Sequence, residues 1–87
     1  MQSISHHARY NDDGSISIYY NIQRSSEVKI DVFTYMGHYL ETITNDYKSA
    51  GENISMFTKD KYSIGSTIFI YKIQAGKQQV SGKVFCR

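Results

Sequence analysis

The chain has 87 residues, of which 40% are hydrophobic and 21% charged, and its net charge is +2. That length fits one domain with a small core, and no window approaches the ~20 apolar residues of a membrane-spanning helix. A single cysteine, Cys86, excludes an intrachain disulfide and reads as a small apolar residue of the last strand.

From the start, Met1 to Tyr10 is polar and lacks the apolar core of a signal peptide. Either the chain is cytoplasmic or it is a piece of a longer exported protein, and the piece is the preferred reading. His6-His7 has no third ligand at useful spacing for a metal, so residues 1–14 are assigned to a leader or linker and the first turn. A short additional strand over residues 4–10 is the alternative. Asn11-Asp12-Asp13-Gly14 is a turn signal: Asx side chains bond the backbone that follows, and Gly takes a positive φ. It lacks the later ligands of a calcium loop.

Ser15 to Gln23 alternates, with Ile16, Ile18, Tyr20 and Ile22 on one face, which is the pattern of a half-buried strand. After a polar connection at Arg24-Ser25-Ser26-Glu27, Val28 to Thr34 alternates again, with Val28, Ile30 and Val32 inward and Lys29 and Asp31 outward. Tyr35-Met36-Gly37-His38 predicts a hairpin turn with Gly37 at positive φ and His38 exposed. The return strand runs from Tyr39 to Thr44, and the odd spacing of its core residues Leu40 and Ile43 predicts a bulge. Asn45 to Gly51 reads as a polar loop and Asn53 to Thr58 as a strand. Lys59 to Gly65 is a crossover. Thr67 to Ile73 is apolar on both faces, which predicts a central strand covered on both sides. The turn at Ala75-Gly76-Lys77 then leads into the closing strand.

Six or seven short strands separated by turn signals, with no amphipathic helix, predict an all-β chain, a small antiparallel β-sandwich over residues 15–87. Charge is distributed unevenly. All eight acids lie in residues 1–60, whereas Lys61, Lys72, Lys77, Lys83 and Arg87 make residues 61–87 purely basic. Edge lysines that discourage aggregation explain this pattern, and so does a docking surface for an acidic partner. The charges are too few and too spread for nucleic acid. Nucleophile–base pairs, carboxylate pairs and phosphate-binding loops are missing from the sequence, so neither catalysis nor a cofactor is expected.

Several motifs occur in an order that resembles a known bacterial module. Ile18-Tyr19-Tyr20-Asn21-Ile22, Val28-Lys29-Ile30-Asp31-Val32-Phe33 and Met36-Gly37 with Leu40-Glu41-Thr42-Ile43 come first. Ser49-Ala50-Gly51-Glu52-Asn53, Ile68-Phe69-Ile70-Tyr71-Lys72-Ile73-Gln74-Ala75-Gly76 and Lys83-Val84-Phe85 follow. Together they resemble the C-terminal sorting domain of type IX secretion cargo, related to the Ig-like domain of the flagellar hook-capping family. The resemblance implies a non-catalytic domain that directs an N-terminally attached cargo from the periplasm through the outer-membrane translocon to the cell surface, where sortase or shuttle components act. It implies that the closing hairpin is the recognised part, with Lys72, Gly76, Lys77, Lys83, Val84, Phe85 and Arg87 as the partner-binding residues. An exposed terminal edge would also permit a homodimer. The alternative is an Ig-like structural or adhesion module, including a spacer or a carbohydrate-binding sandwich.

Overall fold

A computed structural model describes residues 4–58 and 68–86. The expected crossover at Lys59 to Gly65, Lys61, Thr67 and Arg87 lie outside the described residues. Seven strands form within them: β1 (Ser5–Tyr10), β2 (Ser15–Ile22), β3 (Ser26–Thr34), β4 (Tyr39–Lys48), β5 (Gly51–Thr58), β6 (Ile68–Ala75) and β7 (Gln78–Phe85). A three-stranded sheet has the order β1-β2-β5 and a four-stranded sheet the order β4-β3-β6-β7, with every pairing antiparallel. This is an Ig-like sandwich in which the fourth strand pairs with the third rather than joining the other sheet.

The core follows from period-two alternation. Ile16, Ile18, Tyr20 and Ile22 of β2 face Val28, Ile30 and Val32 of β3 and Phe69, Tyr71 and Ile73 of β6, and all are buried. Phe57 of β5 meets Phe69 of β6 edge-to-face at 5.7 Å between ring centres, joining the two sheets. Cys86 is buried in the same core.

The turns use the residues their geometry requires. Gly14 (φ 89°) closes the first hairpin, and Asp13 Oδ1 accepts the Ser15 N–H at 3.0 Å as an Asx turn. Gly37 (φ 91°) donates its N–H to the Thr34 carbonyl at 2.9 Å, and His38 beside it is exposed.

Four expectations change. Residues 5–10 form β1, paired along its length with β2, and Ile4 is buried in the core, so the strand alternative replaces the leader. β4 continues to Lys48, because Asn45–Lys48 pair with Ser26–Lys29, and the loop shrinks to Ser49 and Ala50. The polar connection before β3 is correspondingly shorter, since Ser26 and Glu27 already belong to that strand. β6 lies inside its sheet, between β3 and β7, but its second face is only half-buried: in a two-layer sandwich each sheet has just one covered face.

The predicted bulge is present twice. Ile30 pairs with Thr44 and Asp31 with Thr42, leaving Ile43 unpaired; Val32 pairs with Glu41 and Phe33 with Tyr39, leaving Leu40 unpaired. Both extra residues pack against the core from an edge strand.

Polar contacts tie the sheets together on both flanks. On the β4–β5 side, the Thr44 and Ser55 hydroxyls lie 2.6 Å apart, and the Tyr20 hydroxyl lies 3.3 Å from Ser55 Oγ. On the β1–β7 side, the hydroxyl of buried Tyr71 lies 2.7 Å from His6 Nδ1. Tyr71 reaches His6 because its cross-strand partner is Gly82: a Cβ there would overlap the tyrosine hydroxyl and ring. Burial, with a smaller effect of neighbouring His7, lowers the His6 pKa, and burial raises that of Tyr71.

Candidate functional site

The β6–β7 hairpin is built from β-branched and aromatic residues that favour pleated backbone. Its last cross-strand pair is Ala75 with Gln78, so Gly76 and Lys77 form a two-residue turn. Gly76 has φ 60°, and among the described residues no non-glycine residue has positive φ. That combination is the II′ hairpin turn, with glycine at its first central position. The Gly76 N–H also donates to the Glu27 carbonyl at 3.3 Å, fastening the turn to the start of β3.

The residues expected at the site divide into three groups. Gly76 and Lys77 are exposed in the turn, where they line an open cleft of about 440 Å³ with Gln23, Arg24, Ser25 and Gln78. Arg24, which the sequence pattern does not single out, adds a second cation to that cleft. Lys72, Lys83 and Phe85 lie on the outward face of the four-stranded sheet, and Phe85 is 67% exposed. Val84 forms the third group and is a correction. It points inward and is buried, because successive residues of a strand face opposite sides, so it supports the fold rather than a contact surface. Arg87 lies outside the described residues.

Cross-strand register reveals neighbours that sequence reasoning missed. Tyr39 of β4, Phe33 of β3, Ile70 of β6 and Lys83 of β7 make one continuous row across the outward face. Thr42, Asp31, Lys72 and Ser81 make the next. Phe33 and Tyr39 meet edge-to-face at 6.0 Å, and the Lys72 ammonium sits 5.9 Å from the centre of the Phe33 ring. Asp31 was expected to face outward and does, yet it is buried. Its carboxylate accepts the Thr42 hydroxyl at 2.6 Å and lies 3.9 Å from the Lys29 ammonium. The signal that could have found Phe33 was its phase: it is outward in a strand whose other large apolar residues point inward.

No protein-family model, curated protein or solved structure matches this chain. The site is therefore defined by its own geometry. The outward face of the three-stranded sheet differs in chemistry. It exposes Ile54 and Met56 of β5 beside Tyr19, which is stacked on His7 at 4.7 Å, and its Glu52 carboxylate is held by the Asn21 amide at 3.1 Å. Among the described residues, no group of three or more His, Cys, Asp or Glu is placed to hold a metal ion.

Proposed function

We propose that this chain is a non-catalytic sorting domain that directs an attached cargo through the outer-membrane type IX secretion machinery to the cell surface. The observation that carries this reading is the terminal hairpin. It forms the end of its sheet with Lys77, Lys83 and Phe85 exposed, in a chain whose motifs resemble the sorting family in order. A translocon serving many cargoes needs one constant handle, and a solvent-facing cationic hairpin supplies a handle independent of what precedes it. The domain acts in the periplasm, in transit to the surface, on translocon and sortase or shuttle partners.

The test is transfer of the address. Residues 1–87 fused behind a periplasmic reporter in a host with a type IX system should bring the reporter to the cell surface. An unrelated Ig-like domain fused in the same way should leave it in the periplasm. A reporter retained inside with this domain attached sinks the reading.

One observation favours a second reading, an Ig-like spacer or adhesion module. Ile54 and Met56 are each more than half exposed on the opposite sheet, as suits a unit packed between neighbouring domains. In that case the fused reporter stays periplasmic.

A further inference from the structure

We propose that the outward face of the four-stranded sheet docks an extended segment of a partner protein whose every second residue, on the side facing the sheet, is in turn acidic and apolar. That the partner belongs to the secretion machinery rests on the sorting reading; the chemistry of the surface does not. The row Tyr39–Phe33–Ile70–Lys83 is flanked by the Ile68–Phe85 pair, so five aromatic or aliphatic side chains are contiguous on one face. Tyr39 is 59% exposed and Phe85 67%. Single exposed apolar residues are ordinary, but a contiguous set on a sheet face marks an interaction surface.

Charge selects the occupant. Lys72 and Lys83 sit among these side chains, on neighbouring strands, and make no ion pair among the described residues. The one carboxylate in these rows, Asp31, is already engaged by Thr42 and Lys29. The face therefore combines large apolar side chains with two ammonium groups, Lys72 and Lys83, that no carboxylate among the described residues neutralises. A second copy of this chain is a poor occupant, because packing the face on itself gathers four lysine ammonium groups in one interface while the carboxylate of these rows, Asp31, is already engaged. An anionic lipid surface is disfavoured because two lysines provide too little attraction. Every second residue of an extended segment faces the same side, so carboxylates and apolar side chains taking turns at positions i, i+2 and i+4 reach the two ammonium groups and cover Ile70 and Phe85 together.

The experiment is an NMR titration of the isotope-labelled chain with a short synthetic peptide of Asp-Ser-Leu-Ser repeats, which puts aspartate and leucine on the same side of an extended chain. Controls are the matching lysine–leucine peptide and phosphatidylserine vesicles. Shifts from the acidic peptide should concentrate at Phe33, Ile70, Lys72, Lys83 and Phe85. Lys83→Glu and Phe85→Ser should each weaken binding about tenfold, and because both positions are exposed the spectra of the variants should keep the dispersion of the folded chain. The proposal is overturned by absent shifts, by shifts confined to the Arg24–Lys77 cleft or the three-stranded face, by equal binding of the lysine peptide, or by vesicle binding that the same substitutions remove. The two readings fail separately. Peptide binding at this face without reporter export sinks only the sorting reading. Reporter export together with absent peptide shifts at this face sinks only this surface.

Discussion

The inward face of the β6–β7 hairpin carries Phe69, Tyr71, Ile73, Ala75 and Val84, all buried, while its outward face carries Ile68, Ile70, Lys72, Lys83 and Phe85, none of them buried. Both faces carry large apolar side chains. They differ in what lies opposite: the inner one meets a second sheet, and the outer one meets solvent. Apolar content alone thus does not distinguish a core strand from a contact surface. Inward, Gly82 removes a side chain so that Tyr71 can pass to His6. Outward, the large side chains stay and lysines stand between them. Mutation should separate the two faces cleanly.

The widest gap is expected between two phenylalanines. Phe69→Ala opens a cavity against Phe57 and should cost about 3–5 kcal/mol in urea unfolding, whereas Phe85→Ala should stay within about 0.5 kcal/mol. Equal losses would mean that the outward face is also structural. Next comes Gly82→Ala, which drives a methyl group into the Tyr71 ring and disturbs its bond to His6. Overpacking and a weakened part-buried hydrogen bond together should cost about 2–4 kcal/mol. The adjacent Ser81→Ala, on the exposed face, should be nearly silent in the same assay.

A smaller loss, about 1–2 kcal/mol, is expected for Gly76→Ala, since a Cβ disfavours the positive φ of the turn. Space is not the cause there: the atom nearest to an added methyl group would be Ser26 Oγ at 3.9 Å. Denaturant midpoints should therefore shift without a change in slope.

The smallest effect depends on pH. The folded-state pKa of His6 is lowered by burial and by His7. The unfolded chain therefore takes up the proton first as pH falls. Stability from the neutral imidazole is complete above the unfolded value of about 6.5 and is lost as pH drops through the lower folded value. Urea midpoints should decline as pH falls below about 6.5, and His6→Gln should flatten that decline. An unchanged slope in the variant would remove the flank between β1 and β7 as the pH-sensitive part.

Much of the fold was legible where local signals agree with long-range ones. β2 and β3 alternate strictly, and Gly14, Gly37 and Gly76 mark the turns. The irregular spacing of Leu40 and Ile43 disclosed the bulges of β4. The far end of β4 was not legible, because Asn45–Lys48 is polar and largely exposed, and a solvated edge strand has the composition of a loop. β1 was ambiguous for the same reason: its residues alternate between exposed and half-buried, and its inward anchor is Ile4 just before it. Of the candidate site, the basic character of the closing hairpin was legible by counting charges. That Lys77 belongs with Arg24 at a cleft, and Lys72 and Lys83 with Phe33 and Tyr39 on a face, was not.

Period-two patterning, glycine placement and charge counts are properties of a few consecutive residues. They were enough to establish a sandwich of short antiparallel strands with a cationic closing ribbon. Which strands lie side by side, and in what register, depends on contacts between residues far apart in the chain. Only that packing turned Val84 into core, brought Phe33 beside Lys72, and passed Tyr71 across Gly82 to His6.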